Sequence, residues 1–222
     1  MHISTDQVRT AVVSLVAFIL SVAVHEFGHA WMANRLGDRL PAEQGRLTLS
    51  PLAHIDLVGT ILMPLVAVFA PGGFPLLAWG KPVQTNPKAY RGVSPRTGHM
   101  LVSLMGPLMN FVLAVAVSVV LVLLANVVKL PDSVAEVAIR YFLVLNIMLM
   151  FFNLLPLPPL DGGSVLAGLL PERLQFIPQA LQRYGTLVFF GLLLTGALGF
   201  VMQPVRAVAG AWAGLVVRLM YG

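Results

Sequence analysis

Three ionisable residues interrupt an apolar stretch near the start of the chain. His25, Glu26 and His29 lie in ILSVAVHEFGHAWMANRL, residues 19–36. In a helix, residues four apart project about 40° from each other, so both imidazoles face one side and can reach a single ion. Glu26 lies close to that side. The H-E-x-x-H order is typical of a zinc site with two histidine ligands and a carboxylate general base.

Placing ionisable groups in an apolar helix costs free energy, so such groups are expected to have a function or a partner. One alternative is that the residues pair with one another, or with backbone carbonyls, and only fix helix packing. A hydrolytic zinc site needs three protein ligands and a position open to water, so two histidines are not enough. The chain has no cysteine. The missing ligand must therefore be a carboxylate or a distant histidine.

The best candidate is Asp161, in the segment NLLPLPPLDGG at residues 153–163. The prolines of this segment prevent a regular helix, and Gly162 and Gly163 allow the backbone to turn tightly. Asp161 is either the third metal ligand or the ordinary N-cap of a short helix that follows it. The residues alone leave both interpretations open.

Composition excludes a soluble domain. The chain has 222 residues, of which 58% are hydrophobic and 10% charged, and its mean hydropathy is +0.86. Soluble domains carry about 25% charged residues. The formal net charge of +5 fits positive loops on the cytoplasmic side of a membrane. Nucleic acid is not expected as a partner, because no basic face is interleaved with aromatic residues.

Apolar runs predict an all-α polytopic membrane protein with about four to six transmembrane helices, since about 20 apolar residues span a bilayer. It forms a single membrane-embedded domain over residues 1–222, with a core at about 8–170 and C-terminal helices at about 180–222. Gly37 is expected to end the first span. The last segment either spans or lies in the interface. The predicted spans cover about 8–36, 99–128, 137–155 and 187–202, and the last segment is 205–221.

The segment 57–79 lies between two groups of positive residues. If both groups are cytoplasmic, this segment enters and leaves the membrane on the same side. It is too short for two crossings, which favours a re-entrant loop that turns at PGGFP, residues 71–75. One short crossing is the alternative. The groups are Arg35, Arg39 and Arg46 before it, and Lys81, Lys88, Arg91 and Arg96 after it.

A small cytoplasmic-side β element is predicted at GRLTLSP, residues 45–51, where apolar and polar residues alternate. Such a strand either offers an edge to an unwound substrate or closes a small sheet of its own. Gly106 and Asn110 share a helix face. That face either supports the site, with Asn110 bonded to unwound backbone, or only packs helices closely. His54 either contacts the metal or the substrate, or is a solvated loop residue.

The motifs HEFGHA, GPLMN and NLLPLPPLDGG occur in this order and resemble the site-2 protease family, whose members are zinc metalloproteases that cleave peptide bonds within the membrane. The resemblance covers about residues 8–170. SPLAHIDLVGTILMP and WGKPVQTNP look like the compact bacterial branch. No PDZ or nucleotide-sensing domain is recognisable, which leaves substrate selection by such a domain in doubt.

The resemblance implies that His25, His29 and Asp161 bind one Zn2+ ion per chain and that Glu26 is the catalytic base. It also implies that Asn153 positions the substrate or stabilises the transition state. The expected protein is a multi-pass zinc metalloendopeptidase of the cell membrane. Its active site would lie within the bilayer near the cytoplasmic face, and its substrates would be transmembrane proteins.

Two other functions are compatible with parts of this pattern. A membrane metal-ion transporter would use the His/Asp cluster as a transit site, but it does not explain the glutamate directly after His25. An inactive membrane scaffold is the third interpretation. The sequence leaves a homo-oligomer open, and it does not identify the substrate.

Overall fold

Helices make up most of the protein. The computed structural model describes residues 5–69, 78–128 and 131–221. Ten α-helices lie in these residues, and α5 and α6 continue into each other through a π-helical turn at Ile139–Val144. The helices are α1 Thr5–Arg35, α2 Leu40–Glu43, α3 Met63–Phe69, α4 Pro95–Val127, α5 Asp132–Ala138, α6 Leu145–Asn153, α7 Asp161–Leu169, α8 Phe176–Leu194, α9 Ala197–Val201 and α10 Gln203–Tyr221.

Three helices in the described part of the chain are long and apolar enough to cross a membrane. They are Val8–Arg35, Pro95–Val127 and Val134–Asn153. The protein is therefore a helical membrane protein, which confirms the predicted class. The additional spans expected near the C-terminus stay a prediction, because α8 and α10 are not among these three helices.

The ends of α1 and α4 follow local sequence signals. Gly37 has φ of +100°, a left-handed conformation that favours glycine and commonly ends a helix. The predicted helix stop at Gly37 is thus confirmed. Before α4, the Ser94 side chain accepts a hydrogen bond from the Thr97 N–H, and Pro95 occupies the first helical turn.

α4 is the central helix and packs against α1, α6, α7 and α10. Its contact with α1 is close because Gly28 has no side chain. A Cβ atom on Gly28 would lie 2.7 Å from the Met105 carbonyl oxygen. The second half of α1, which contains the H-E-x-x-H residues, is thereby held directly against α4.

The predicted β element is wrong. Residues 45–50 are irregular, Pro51 begins a short 3₁₀ helix, and the described part of the chain contains no strand. An alternating pattern becomes a strand only when another strand pairs with its backbone groups, and no described strand lies beside this segment. The proposed re-entrant turn at 71–75 lies outside the described residues.

A segment without regular secondary structure, residues 78–86, lies against α1. Its backbone is tied to two buried charged residues. The Arg46 guanidinium donates to the carbonyls of Ala53 and Pro82, and the Asp38 carboxylate accepts from the Asn86 N–H at 2.6 Å. These contacts fix the segment beside the H-E-x-x-H residues.

Candidate metal centre

Two helices that are distant in sequence bring three side chains together. The Nε2 atoms of His25 and His29 are 3.0 Å apart. The Asp161 Oδ2 atom lies 3.2 Å from the first and 3.4 Å from the second. One atom from each side chain thus faces a common point. Among the described residues this is the group of histidine and acidic side chains that could hold a metal ion.

Asp161 reaches this point because of the backbone around it. It is the first residue of α7, and Leu160 occupies the cap position without a side-chain cap. The interpretation of Asp161 as an ordinary N-cap is therefore wrong, since its carboxylate contacts the imidazoles instead. Gly162 is required beside it, because a Cβ atom there would collide with the carbonyls of Leu154 and Leu155.

Each imidazole is oriented by a hydrogen bond from its other ring nitrogen. His29 Nδ1–H donates to the Val102 carbonyl at 2.8 Å. His25 Nδ1–H donates to the Asn110 Oδ1 atom at 2.7 Å. With Nδ1 as the donor in these two bonds, the Nε2 atom of each ring is the one that faces the common point. This outer hydrogen bonding is typical of histidine metal ligands.

Asn110 belongs to a buried network between three helices. Its Nδ2 group donates to the Ser21 carbonyl at 3.2 Å and to the Asn146 Oδ1 atom at 2.8 Å. Asn146 in turn donates to the Ser21 hydroxyl at 2.9 Å and to the Phe142 carbonyl at 2.7 Å. Ser21, Asn110 and Asn146 are fully buried, each with an exposed fraction of 0%. Every amide hydrogen of the network has an acceptor.

Glu26 is anchored by the segment at residues 78–86. Its Oε2 atom accepts a hydrogen bond of 3.1 Å from the Val83 N–H of that segment. The side chain is buried, as are those of His25 and His29. The Val83 amide therefore fixes the direction of the carboxylate and leaves Oε1 for another partner.

Gly106 closes the other side of the group. A Cβ atom at this position would overlap the Cε1 and Nε2 atoms of His29 and would lie 2.8 Å from Cε1 of His25. The two imidazoles occupy the space that a side chain at this position would fill. The Gly106 and Asn110 face of α4 thus contacts the histidines directly, rather than unwound backbone.

The side chains of two other residues singled out from sequence bond to backbone carbonyls. The Asn153 amide donates to the Leu149 carbonyl of its own helix at 3.0 Å. His54 is buried, so the solvated interpretation is wrong, and its Nε2–H donates to the Thr48 carbonyl at 2.8 Å. The sequence reasoning missed Val83, Val102 and Asn146, since no local pattern reveals a contact made by a backbone group or across helices.

Comparison with known proteins agrees with this geometry. The family model described as Peptidase family M50 matches residues 13–139 and 128–196. The chain is 35% identical over 194 residues to "Putative zinc metalloprotease YwhC" of Bacillus subtilis, covering 86% of this chain and 84% of that protein. It is 34% identical over 185 residues to "Putative zinc metalloprotease Rip2" of Mycolicibacterium smegmatis, covering 83% and 67%.

A more distant relative is "Zinc metalloprotease MJ0392" of Methanocaldococcus jannaschii. It is 22% identical over 178 residues, which cover 80% of this chain and 40% of that protein. No solved structure matches the chain significantly.

Fold, site and comparisons define a membrane metalloprotease. The chain belongs to peptidase family M50, the site-2 protease family that its motifs resemble.

Proposed function

We propose that this protein is an intramembrane zinc protease that cleaves peptide bonds within transmembrane segments of other proteins. The observation that supports it most directly is the convergence of His25 Nε2, His29 Nε2 and Asp161 Oδ2 within 3.0 to 3.4 Å of one another. Glu26 directly follows the first of these residues on the same helix.

The donor set fits zinc. Two imidazole nitrogens and one carboxylate oxygen are three ligands of the kinds that catalytic zinc sites use, and they leave a position open to water. The two Nε2 atoms lie 3.0 Å from each other, close enough for one cation to contact both. We therefore assign His25, His29 and Asp161 as ligands of one zinc ion per chain.

Glu26 is assigned as the general base. Bound zinc supplies a Lewis acid that lowers the pKa of water to about 7. Val83 holds Oε2 of Glu26, which leaves Oε1 to take the proton of the attacking water. The same carboxyl then returns the proton to the amine nitrogen as the peptide bond breaks. Asn153, at the end of α6, is assigned to the substrate carbonyl, as the family resemblance implies.

The location of the site determines the substrate class. From His25 to Arg35 is ten residues, or about 15 Å of helix. We place Arg35 in the cytoplasm, together with the other members of the two positive groups that flank residues 57–79. The ligands then lie within the bilayer near its cytoplasmic face. A peptide bond that reaches them belongs to a transmembrane segment of a substrate in the cell membrane, and that segment must unwind before attack.

Cleavage and its metal dependence can be tested together. Purified protein is added to detergent-solubilised bacterial membrane proteins, and new peptide ends are mapped by mass spectrometry. We expect new ends inside apolar segments, their loss by about 100-fold or more after zinc is removed with 1,10-phenanthroline, and their return on zinc addition. New ends only in extramembrane loops would contradict the proposal. So would zinc uptake by sealed proteoliposomes without cleavage, the result expected of a transporter.

Adding one methyl group to Gly106 should weaken the zinc site. We expect Gly106→Ala to lower zinc affinity by about 10- to 100-fold, since the new Cβ atom overlaps His29 and must displace an imidazole. The measurement is competition with a zinc-binding dye. Gly191→Ala, in α8, is the matched control, because nothing lies within 4 Å of a Cβ atom there. Equal affinities of the two variants would show that the imidazoles do not bind the ion in this arrangement.

A further inference from the structure

The network behind His25 contains two fixed acceptors. The Phe142 carbonyl accepts from Asn146 Nδ2 at 2.7 Å, and the Ser21 carbonyl accepts from Asn110 Nδ2 at 3.2 Å. A backbone carbonyl cannot donate, so each contact identifies the nitrogen side of an amide. The orientation of both asparagine side chains follows from these two bonds.

These orientations determine which nitrogen of His25 carries the hydrogen. Asn146 presents Oδ1 to the Asn110 Nδ2 group at 2.8 Å, and Asn110 then presents Oδ1 to His25 Nδ1 at 2.7 Å. A flipped Asn110 amide would place its oxygen against two acceptors, the Ser21 carbonyl and Asn146 Oδ1. In the flipped state Nδ2 would also donate to His25 Nδ1, leaving the hydrogen on Nε2 and blocking the ligand position.

We propose that Asn146 is a positioning residue that acts through Asn110 to select the metal-binding tautomer of His25. Asn146 lies on α6, contacts none of the three assigned ligands in these hydrogen bonds, and is fully buried. Without it, the Ser21 carbonyl alone would hold Asn110, through a bond of 3.2 Å. His29 does not need such a device, because a backbone carbonyl accepts from its Nδ1–H.

The inference rests on the proposed zinc site but has its own readout. The tautomer of each histidine is measured by ¹⁵N NMR on histidine-labelled, zinc-free protein, with signals assigned through His25→Gln and His29→Gln. In the wild type we expect Nδ1–H in both rings. Asn146→Leu, which keeps the size and removes the amide, should shift His25 toward Nε2–H, leave His29 unchanged, and lower zinc affinity by about 10-fold.

Two variants separate this role from general packing. Asn146→Asp keeps an oxygen acceptor for Asn110 Nδ2 and should keep His25 as Nδ1–H. Asn126→Leu removes an exposed amide of α4 that donates to the Val122 carbonyl, and it should change neither tautomer nor affinity. An Nε2–H signal for His25 in the wild type would overturn the inference even if Asn146→Leu does not fold. So would a folded Asn146→Leu protein indistinguishable from Asn126→Leu. Absence of cleavage would instead contradict the proposed function, because the tautomer is read without zinc or substrate.

Discussion

Glu26→Gln is expected to abolish peptide-bond cleavage and to leave zinc bound. A glutamine at this position keeps the size of the side chain and an oxygen that can accept from the Val83 N–H, as Oε2 does now at 3.1 Å. It cannot take a proton from water. Since a positioned general base contributes about 10²- to 10⁴-fold, we expect a loss of that size in the cleavage rate with unchanged zinc content.

The experiment compares cleavage rate and zinc stoichiometry in the same preparations. Glu43→Gln is the matched control, because Glu43 is exposed at the end of α2, and we expect it to behave as wild type. Loss of zinc from Glu26→Gln would indicate a structural or ligand role for the carboxylate. Full cleavage by the variant would exclude Glu26 as the base, and retained zinc transport without cleavage would favour the transporter.

The local parts of the site could be predicted from sequence because helix geometry is local. Once an apolar helix over His25 and His29 is recognised, its periodicity brings both imidazoles to one face, and the structure has that arrangement on α1. The class of membrane protein followed from composition in the same way. Both inferences depend only on residues near each other in the chain.

The contact of Asp161 with the imidazoles depends on α7 packing against α4, which no local pattern determines. The sequence therefore left two roles for Asp161. The contact of Val83 with Glu26 is even harder to predict from sequence. Its donor is a backbone N–H, which any residue except proline supplies. Asn146 was missed because its partner Asn110 is on another helix, so that neither residue alone predicts a network.

The strand predicted at 45–51 is a different kind of error. Here a local pattern predicted an element that the structure does not contain. Alternation alone does not form a strand, because backbone donors and acceptors need a partner. A side chain makes the connection in this part of the structure instead. The buried Arg46 side chain donates hydrogen bonds to the carbonyls of Ala53 and Pro82. An arginine thus connects two loops where a sheet was expected.

Asp161→Ala should remove the ion from the site. We expect zinc content to fall from one per chain to near zero, with affinity weakened by more than about 100-fold, since even outer hydrogen-bonding partners of metal ligands account for 10- to 100-fold. The lost carboxylate oxygen lies 3.2 and 3.4 Å from the two Nε2 atoms, and no other described acidic side chain joins this group. The measurement is metal content by mass spectrometry after purification without added zinc.

Asp56→Ala is the control that distinguishes a ligand from a helix cap. The Asp56 carboxylate accepts from the N–H groups of Val58 and Gly59 at 3.0 and 2.7 Å, which is a capping role, so its removal should cost about 1 kcal/mol of stability and no zinc. If Asp161→Ala instead lost stability while keeping a full complement of zinc, the carboxylate would serve α7 rather than the metal. The third ligand would then have to come from elsewhere in the protein or from water, and the assignment of Asp161 as a zinc ligand would be wrong.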